Sequence, residues 1–392
     1  MKVLSINAGS SSLKFTLFEM PEEKELISGV FERIGLNESF YSIEINGIKE
    51  KKEEVIKNHK EAFEILIKEL LNNKIIENLN EVEGIGHRVA QGGAYFDKTV
   101  LASKENIEIC EKLSELAPLH NPPQIAALKS AQEVFKNAAH TLVFDTAFHQ
   151  TIEIENFLYA VPYEWYTKYN VRRYGFHGTS HKYINLKANK LLNKEDTKII
   201  SCHIGNGASI SAIKNNKCIN TSMGFTPNAG LMMGTRCGDI DATIVTYMMR
   251  ETGISAEMVD DILNKESGLL GVSGVSSDSR DIEDGIKNGD KRCILAQNIY
   301  VSKIVDYIAK YYVQLGGCDA IVFTAGVGEN SPDVRKAVCE KLNVLGIKID
   351  LDKNNVRGKE TLISKDDSKV KVYIIPTNEE LMIAKDTFDL VK

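Results

Sequence analysis

The chain opens on a short apolar run, Val3 to Ile6, bounded by turn-forming residues, which predicts a buried strand. After a polar break from Asn7 to Ser12, Leu13, Phe15 and Leu17 alternate with Lys14 and Thr16, the pattern of a half-buried hairpin partner. Continued along the first half, the same reading predicts strands near 2–8, 13–19, 26–33, 41–46, 84–90 and 139–145. Helical spacing covers 59–72, 105–116 and 122–137, the last with Asn121 as cap and Pro122 at the first helical position. The second half repeats the order. Strands are predicted near 198–204, 208–214 and 217–221, then helices near 240–251, 255–265 and 291–315. A strand at 319–324 follows, then a helix from about 332, strands near 344–348 and 371–376, and a last helix at 378–388 packing back on the first domain. Strands followed by alternating helices and strands, twice over, predict two α/β domains with a cleft between them.

The break between the first two strands has a chemistry of its own. Gly9, Ser10, Ser11 and Ser12 leave the backbone uncovered and supply hydroxyls, as a phosphate-cupping turn does, and Lys14 stands just beyond. A similar segment follows almost two hundred residues later, Ile199 to Ser211. With Gly205 laid on Gly9, His203 falls opposite Asn7 and Asn206 opposite Ser10. Two phosphate hairpins at matching places predict a duplicated fold with nucleotide held between the copies.

Length and composition narrow the class. At about 150 residues per domain, 392 residues predict two or three domains. A hydrophobic fraction of 43% supports sizeable cores, and a net charge of −6 gives no field to draw nucleic acid or an anionic membrane. The charge runs Lys49 to Glu54 and Lys365 to Lys371 mix signs and read as solvated turns. No apolar stretch approaches the roughly 18 to 20 residues of a membrane span, and Asn7 to Ser12 ends the opening apolar run too early for a signal peptide. Seven cysteines, odd in number and without a C-x-x-C pair, fit free thiols in a reducing cytoplasm.

Further segments carry candidate chemistry. Arg88 leaves a strand into the turn Ala90-Gln91-Gly92-Gly93, and an arginine fork matches phosphoryl or carboxylate oxygens. Asp145 closes the apolar strand Leu142 to Phe144, where open sheets place ligand-binding groups. His177 and His181, four apart, could share a helical face, but no metalloprotease glutamate lies between them and no third ligand is evident. The expectation is therefore one anion-binding and one structural histidine. Arg236 emerges from a glycine-punctuated loop before a helix that Asp239 or Asp241 could cap. Gly326 to Asn330 is a glycine turn between a strand and a helix, a natural place for nucleotide, and Asp278 to Arg280 is read with it. The chain has no P-loop, no protein-kinase signature and no dinucleotide fingerprint.

Taken in order, Asn7-Ala-Gly-Ser-Ser-Ser-Leu-Lys14, His87-Arg88-Val89, Asp145-Thr-Ala-Phe-His149, Tyr174-Gly-Phe-His-Gly-Thr-Ser-His181, His203-Ile-Gly-Asn-Gly207, Gly234-Thr-Arg236 and Gly326-Val-Gly-Glu-Asn330 resemble the motifs of the acetate kinase family. The resemblance runs from Asn7 to Glu379. It implies two duplicated actin-like (ribonuclease H-like) α/β domains, 1–147 with 379–392 and 148–378, and a nucleotide cleft between them. It implies reversible phosphoryl transfer from MgATP to acetate in a cytoplasmic homodimer, with no nucleic-acid or membrane partner. Asn7 and Glu379 would hold Mg²⁺, for which Mn²⁺ could substitute. Ser10, Ser12, Lys14, His203, Ile204, Gly205, Asn206, Gly207, Asp278, Ser279, Arg280, Gly326, Val327, Gly328, Glu329 and Asn330 would line the nucleotide. Arg88 would bind the acetate carboxylate, Asp145 would be the catalytic carboxylate, and His177 and Arg236 would stabilise the transition state. Ala90, Leu119, Phe176 and Pro227 would wall the acetate methyl group.

One departure concerns substrate. The family commonly reads Val-His-Gly-Gly where this chain has Ala90-Gln91-Gly92-Gly93. Two methyl groups fewer at position 90 enlarge the expected pocket, so propionate is expected to be tolerated beside acetate. A propionate or butyrate kinase is the neighbouring alternative. A nucleotide-gated ATPase switch is the alternative from another class, and a second anion site of Arg88, Asp145 and Arg236 speaks against it.

Overall fold

The computed structural model describes residues 1–392 and divides into two units, Met1–Gln150 with Asn378–Lys392, and Thr151–Thr377. The first unit is built on an eight-stranded sheet. Its strands are β1 (Lys2–Ala8), β2 (Ser12–Glu19), β3 (Lys24–Glu32), β4 (Phe40–Ile45), β5 (Ile48–Glu53), β6 (Val82–Val89), β7 (Val100–Leu101) and β8 (Ala139–Phe144). They lie in the order β5-β4-β3-β2-β1-β6-β8-β7. β1 to β5 run antiparallel in sequence order, while β1, β6 and β8 are mutually parallel neighbours. One core gathers Leu4, Ile6, Phe15 and Phe31 from the sheet with Phe63 and Leu66 of the helix His59–Asn72. The opposite face of β1 and β6 takes the helix Glu379–Val391. Close approach is possible because Gly86 has no Cβ; one built there would lie 2.3 Å from Thr387 Oγ1.

The second unit repeats the plan. Its strands are β9 (Lys198–Ile204), β10 (Ala208–Lys214), β11 (Lys217–Thr221), β12 (Ala320–Thr324), β13 (Thr361–Leu362) and β14 (Lys371–Ile374), in the order β11-β10-β9-β12-β14-β13. β9–β10–β11 is antiparallel, and β9, β12 and β14 are parallel. Strand for strand this matches β3-β2-β1-β6-β8, so the duplication read from the two hairpins extends across five strands. The two turns differ in length. Residues 9–12 separate the pair Ala8 and Leu13, whereas 205–207 separate Ile204 and Ala208. The core beneath this sheet is closed by the helix Lys291–Gln314 through Tyr300, Ile304, Ile308 and Tyr311.

Several expectations are corrected. No strand forms at 344–348; a 3-10 turn, Leu342–Leu345, is ended by Gly346 at φ +79°, and Val344 is exposed. That run joins no sheet; Gly346 O and Lys348 O accept from Lys369 and Lys365 N–H at 2.9 Å each, beside the isolated bridge of Ile349 with Ser364. The charged run from Lys49 is not a turn but the edge strand β5, whose mixed charges face solvent and protect the edge. The helix Gly178–Leu192 was not expected, because its first turn is Gly-Thr-Ser-His and its cap, His177, is left-handed at φ +57°. Asn121 is the first helical residue rather than the cap; its buried amide instead pairs with the Gln91 backbone at 3.0 and 3.1 Å. Of the two acids expected to cap the helix Thr243–Thr252, Asp241 does so, its Oδ1 accepting from Thr243 N–H at 2.8 Å, although Ala242 holds the N-cap position.

Candidate active site

The parallel strands of the first unit deliver three side chains at their carboxyl ends, the position where open α/β sheets bind ligands. Asn7 stands near the end of β1, Arg88 near the end of β6, and Asp145 directly after β8. Asp145 N–H donates to Val89 O at 3.0 Å, extending the pairing of β6 and β8 by one residue. The Arg88 fork then closes on Asp145, Nε to Oδ1 at 2.9 Å and Nη2 to Oδ2 at 2.5 Å, while Nη1 donates to Asn7 Oδ1 at 3.0 Å. Asp145 is 1% exposed. Burial opposes the Arg88 charge, but the Asp145 carboxylate outweighs it and raises the guanidinium pKa. An aspartate bound this way orients the arginine.

Glu379 opens the helix that lies on β6, capped by Asn378 Oδ1 accepting from Leu381 N–H at 2.9 Å. Its Oε1 is inaccessible and has no hydrogen-bond partner. Burial pushes its carboxyl up to about 7, against the pull of Arg88 and with the push of Asp145 and Glu380. The half-buried Glu379 therefore keeps one inaccessible carboxyl oxygen unsatisfied. Lys14, expected on the nucleotide, pairs with Glu380 at 2.6 Å, and its hairpin turn is held by Gly9 N–H to Ser12 O at 2.8 Å. Ser10 is exposed and Ser12 half-buried in that turn.

The Glu379 shift has a consequence for stability. Its folded pKa lies above the ordinary 4.5, so the folded chain holds this proton more tightly than the unfolded chain. The resulting stabilisation is complete below about pH 4.5 and is lost as pH rises through about 7. In the absence of divalent cations, Tm is expected to fall by a few degrees between pH 5.5 and 8. Glu379→Gln should flatten that fall; an identical slope in the variant would remove Glu379 as its source.

The second unit places its candidates around the turn after β9. His177 Nδ1 lies 3.0 Å from Ser209 Oγ, and its ring stacks on His203 at 4.1 Å between centroids. His203 Nδ1 is in turn 2.8 Å from Ser180 Oγ. A Cβ on Gly207 would sit 3.3 Å from Arg236 Nη1 and 3.7 Å from His177 Nε2, so both side chains crowd this turn. The Arg236 guanidinium donates hydrogen bonds to Pro227 O at 3.3 Å and Met233 Sδ at 3.9 Å, and burial lowers its pKa. Asp239 anchors the Arg236 loop by accepting from Gly230 N–H at 2.8 Å and from the Tyr307 hydroxyl. His181 is fully buried between Ser201 and Ser209.

Beside this turn lies a cavity of about 480 Å³, sized for a nucleoside. Of the expected nucleotide residues, Gly205, Asn206, Asp278, Ser279, Arg280, Gly326, Val327 and Asn330 line it. His203, Ile204, Gly207, Gly328 and Glu329 are not among its lining residues. Glu329 works structurally, its Oε1 accepting from Ala325 N–H at 2.7 Å and Thr377 N–H at 3.0 Å. Asp278 caps the helix Ser279–Lys287 and is held by Arg280 at 2.5 Å. Sequence reading missed Glu283, Ser331 and Arg357 in the lining. It also missed Arg335, which is wholly buried and donates to Gly328 O, Asn354 and Val356 O at 2.8 to 2.9 Å. That one guanidinium ties the glycine turn to the segment carrying Arg357, and no local pattern marks it.

The acyl-pocket candidates are divided between the units. Ala90 is buried in the first, its N–H on Gln124 Oε1 at 2.9 Å, whereas Leu119 is 67% exposed. Gln91 is buried, its Oε1 accepting from Gly93 N–H at 2.9 Å. Phe176 is buried in the second unit, and Pro227 is half-buried and engaged by Arg236 through its carbonyl. All seven cysteines are free. No helix is long and apolar enough to cross a membrane.

Comparison with known proteins agrees across the whole chain. The profile described as the Acetokinase family matches residues 2–385. An acetate kinase of Shouchella clausii is 52% identical over 391 residues, covering 99% of each chain. The crystal structure of Porphyromonas gingivalis acetate kinase superposes with a TM-score of 0.95 at 44% identity over 100% of each chain. A propionate kinase from Francisella tularensis gives a TM-score of 0.94 at 40% identity over 99% of each.

Proposed function

The chain belongs to the acetokinase family and transfers a phosphoryl group between ATP and acetate, and we propose that it does so directly, with no phosphorylated side chain between. An acetate oxygen attacks the γ-phosphorus, the bond from that phosphorus to the ADP oxygen breaks, and acetyl phosphate and ADP leave. Acetate is already ionised at neutral pH, so no base is required to create the nucleophile. This reading is carried by the Arg88–Asp145 pair, in which both carboxylate oxygens are taken up in holding the arginine. Arg88 binds the acetate carboxylate. Arg236 and His177 offset the charge that spreads over the phosphoryl oxygens in flight. The glycine turns at Gly205 and Gly326 and the cap at Asp278 hold the nucleoside.

The residues fit a divalent cation, Mg²⁺ or Mn²⁺ in its place. No three His, Cys, Asp or Glu side chains form a metal cage, and Mg²⁺ characteristically binds through one or two carboxylates together with substrate phosphates. The unsatisfied Glu379 oxygen and the Asn7 carbonyl would hold it. When bound, it neutralises phosphate charge; the residues of the chain orient the reactants. A homodimer is supported by the helix Thr243–Thr252, which buries none of its residues and exposes Ile244, Tyr247 and Met248 along one face. Free thiols support a reducing, cytoplasmic setting.

Acetate is the principal substrate in this reading, and Ala90 supports tolerance of propionate. A methylene in an apolar pocket separates substrates by only about 1 to 3 kcal/mol. With MgATP and hydroxylamine trapping, acetate should give the most hydroxamate, propionate less and butyrate least. Preference for the longer acids would make this a sister activity of the family. ATP hydrolysis without acyl phosphate from any acid would sink the transfer reading.

A further inference from the structure

Ser209, on β10, stands between two histidines that are four residues apart on another element. Its Oγ is 3.0 Å from His177 Nδ1 and 2.8 Å from His181 Nε2, and His181 Nδ1 is 2.8 Å from Ser201 Oγ. Ser201, His181 and Ser209 are all fully buried. The four side chains therefore form one line, Ser201–His181–Ser209–His177, with only the His177 end turned to the Gly207 turn beside Arg236. His203 holds the ring from its face, in cross-strand register with Ser209.

With both rings neutral and the serine proton kept within the line, Ser209 donates to one of these nitrogens and accepts from the other. That couples the tautomers of the two histidines and leaves two consistent arrangements. In the first, Ser201 donates to His181 Nδ1, His181 Nε2–H donates to Ser209, and Ser209 donates to a bare His177 Nδ1. His177 then carries its proton on Nε2. In the second every bond is reversed, and His177 presents a bare Nε2 lone pair. A lone pair facing phosphoryl oxygens is repulsive, whereas an N–H donates to them, so a stabilising His177 requires the first arrangement.

We infer that Ser209, backed by His181 and Ser201, is a positioning residue that fixes His177 as the Nε2–H tautomer and sets its ring toward the transferring phosphoryl group. The inference rests on the proposed role of His177 in the transition state. It assigns His181 a task beyond core filling: its ring passes the orientation of one buried hydroxyl to the next. Ser209 touches no substrate atom in this scheme and acts only through His177.

The test is nitrogen-15 NMR of imidazole-labelled protein at neutral pH, with His177 assigned from the His177→Gln spectrum. Nε2 protonated and Nδ1 bare on both His177 and His181 is the expected result; a protonated Nδ1 on His177 overturns the inference. This wild-type measurement holds whether or not any variant folds. Alongside it, Ser209→Ala should lower kcat roughly tenfold or more, short of the 10²- to 10³-fold cost of losing such a donor outright. KM for acetate and for ATP should stay within about twofold, and Ser209→Thr, which keeps the hydroxyl, should recover most of kcat. A folded Ser209→Ala variant with kcat within twofold of the parent and an unchanged pH profile would also overturn it. Absence of acyl phosphate from the parent protein would count against the transfer reading instead, leaving the tautomer assignment to the spectrum.

Discussion

Arg88→Ala is expected to lower turnover with acetate and MgATP by more than about a hundredfold and to destabilise the first unit at the same time. The two effects come from one feature. Asp145 is 1% exposed and both its oxygens are held by the Arg88 fork, so truncation leaves a buried carboxylate with no countercharge. Breaking a buried pair from one side typically costs about 3 to 5 kcal/mol. Arg88→Lys should not restore turnover, because an ammonium cannot reproduce the paired Nε and Nη2 contacts. Adding Asp145→Asn to Arg88→Ala should recover part of the stability and none of the activity. Acyl-phosphate formation and thermal unfolding on the same preparations check this; near-normal turnover in Arg88→Ala refutes its role.

Arg236→Ala should cost a similar factor in turnover, more than about a hundredfold, yet leave Tm unchanged or slightly raised. The Arg236 guanidinium has no carboxylate partner, contacts one carbonyl and one thioether, and is disfavoured by its own desolvation. Removing it therefore strands no opposite charge. Under the proposed function, this half-buried arginine without a carboxylate partner is the countercharge for an anion that arrives with substrate. The loss should fall mainly on kcat, since countercharge to a moving phosphoryl group is strongest in the transition state. A Tm drop comparable to that of Arg88→Ala would show a structural role instead. Unchanged kcat would remove Arg236 from the reaction.

The contrast between the two arginines shows where sequence reading stops. Both were visible as arginines leaving strands or loops into glycine-rich turns, and both family motifs pointed to them. Nothing local says that one is locked to a buried aspartate and the other is unpaired. Likewise the strand–turn–strand at Val3 to Leu17 was legible because alternation and turn residues act within a few positions. The helix Gly178–Leu192 was not legible, since its first turn is polar and its cap is left-handed. The run at 344–348 had strand composition but formed no ladder, meeting 365–369 only in separate backbone hydrogen bonds, because pairing depends on a neighbour elsewhere in the chain. The edge strand β5 shows the converse, a charged run made a strand by β4 beside it.

By itself, then, the sequence determined the two hairpins, their duplication, the candidate arginines, aspartate and glycine turns, and through ordered motifs the family. These are properties of spacing within short windows, where side-chain alternation and backbone freedom act directly. The tertiary structure alone decided that Asn7, Arg88 and Asp145 meet at the ends of three parallel strands with Glu379 beside them. It alone threaded Ser201, His181, Ser209 and His177 into one hydrogen-bonded line, and tied Arg335 to the glycine turn at Gly328. Each of these joins residues far apart in the chain. Their partners are chosen by strand order and register, which no single segment encodes.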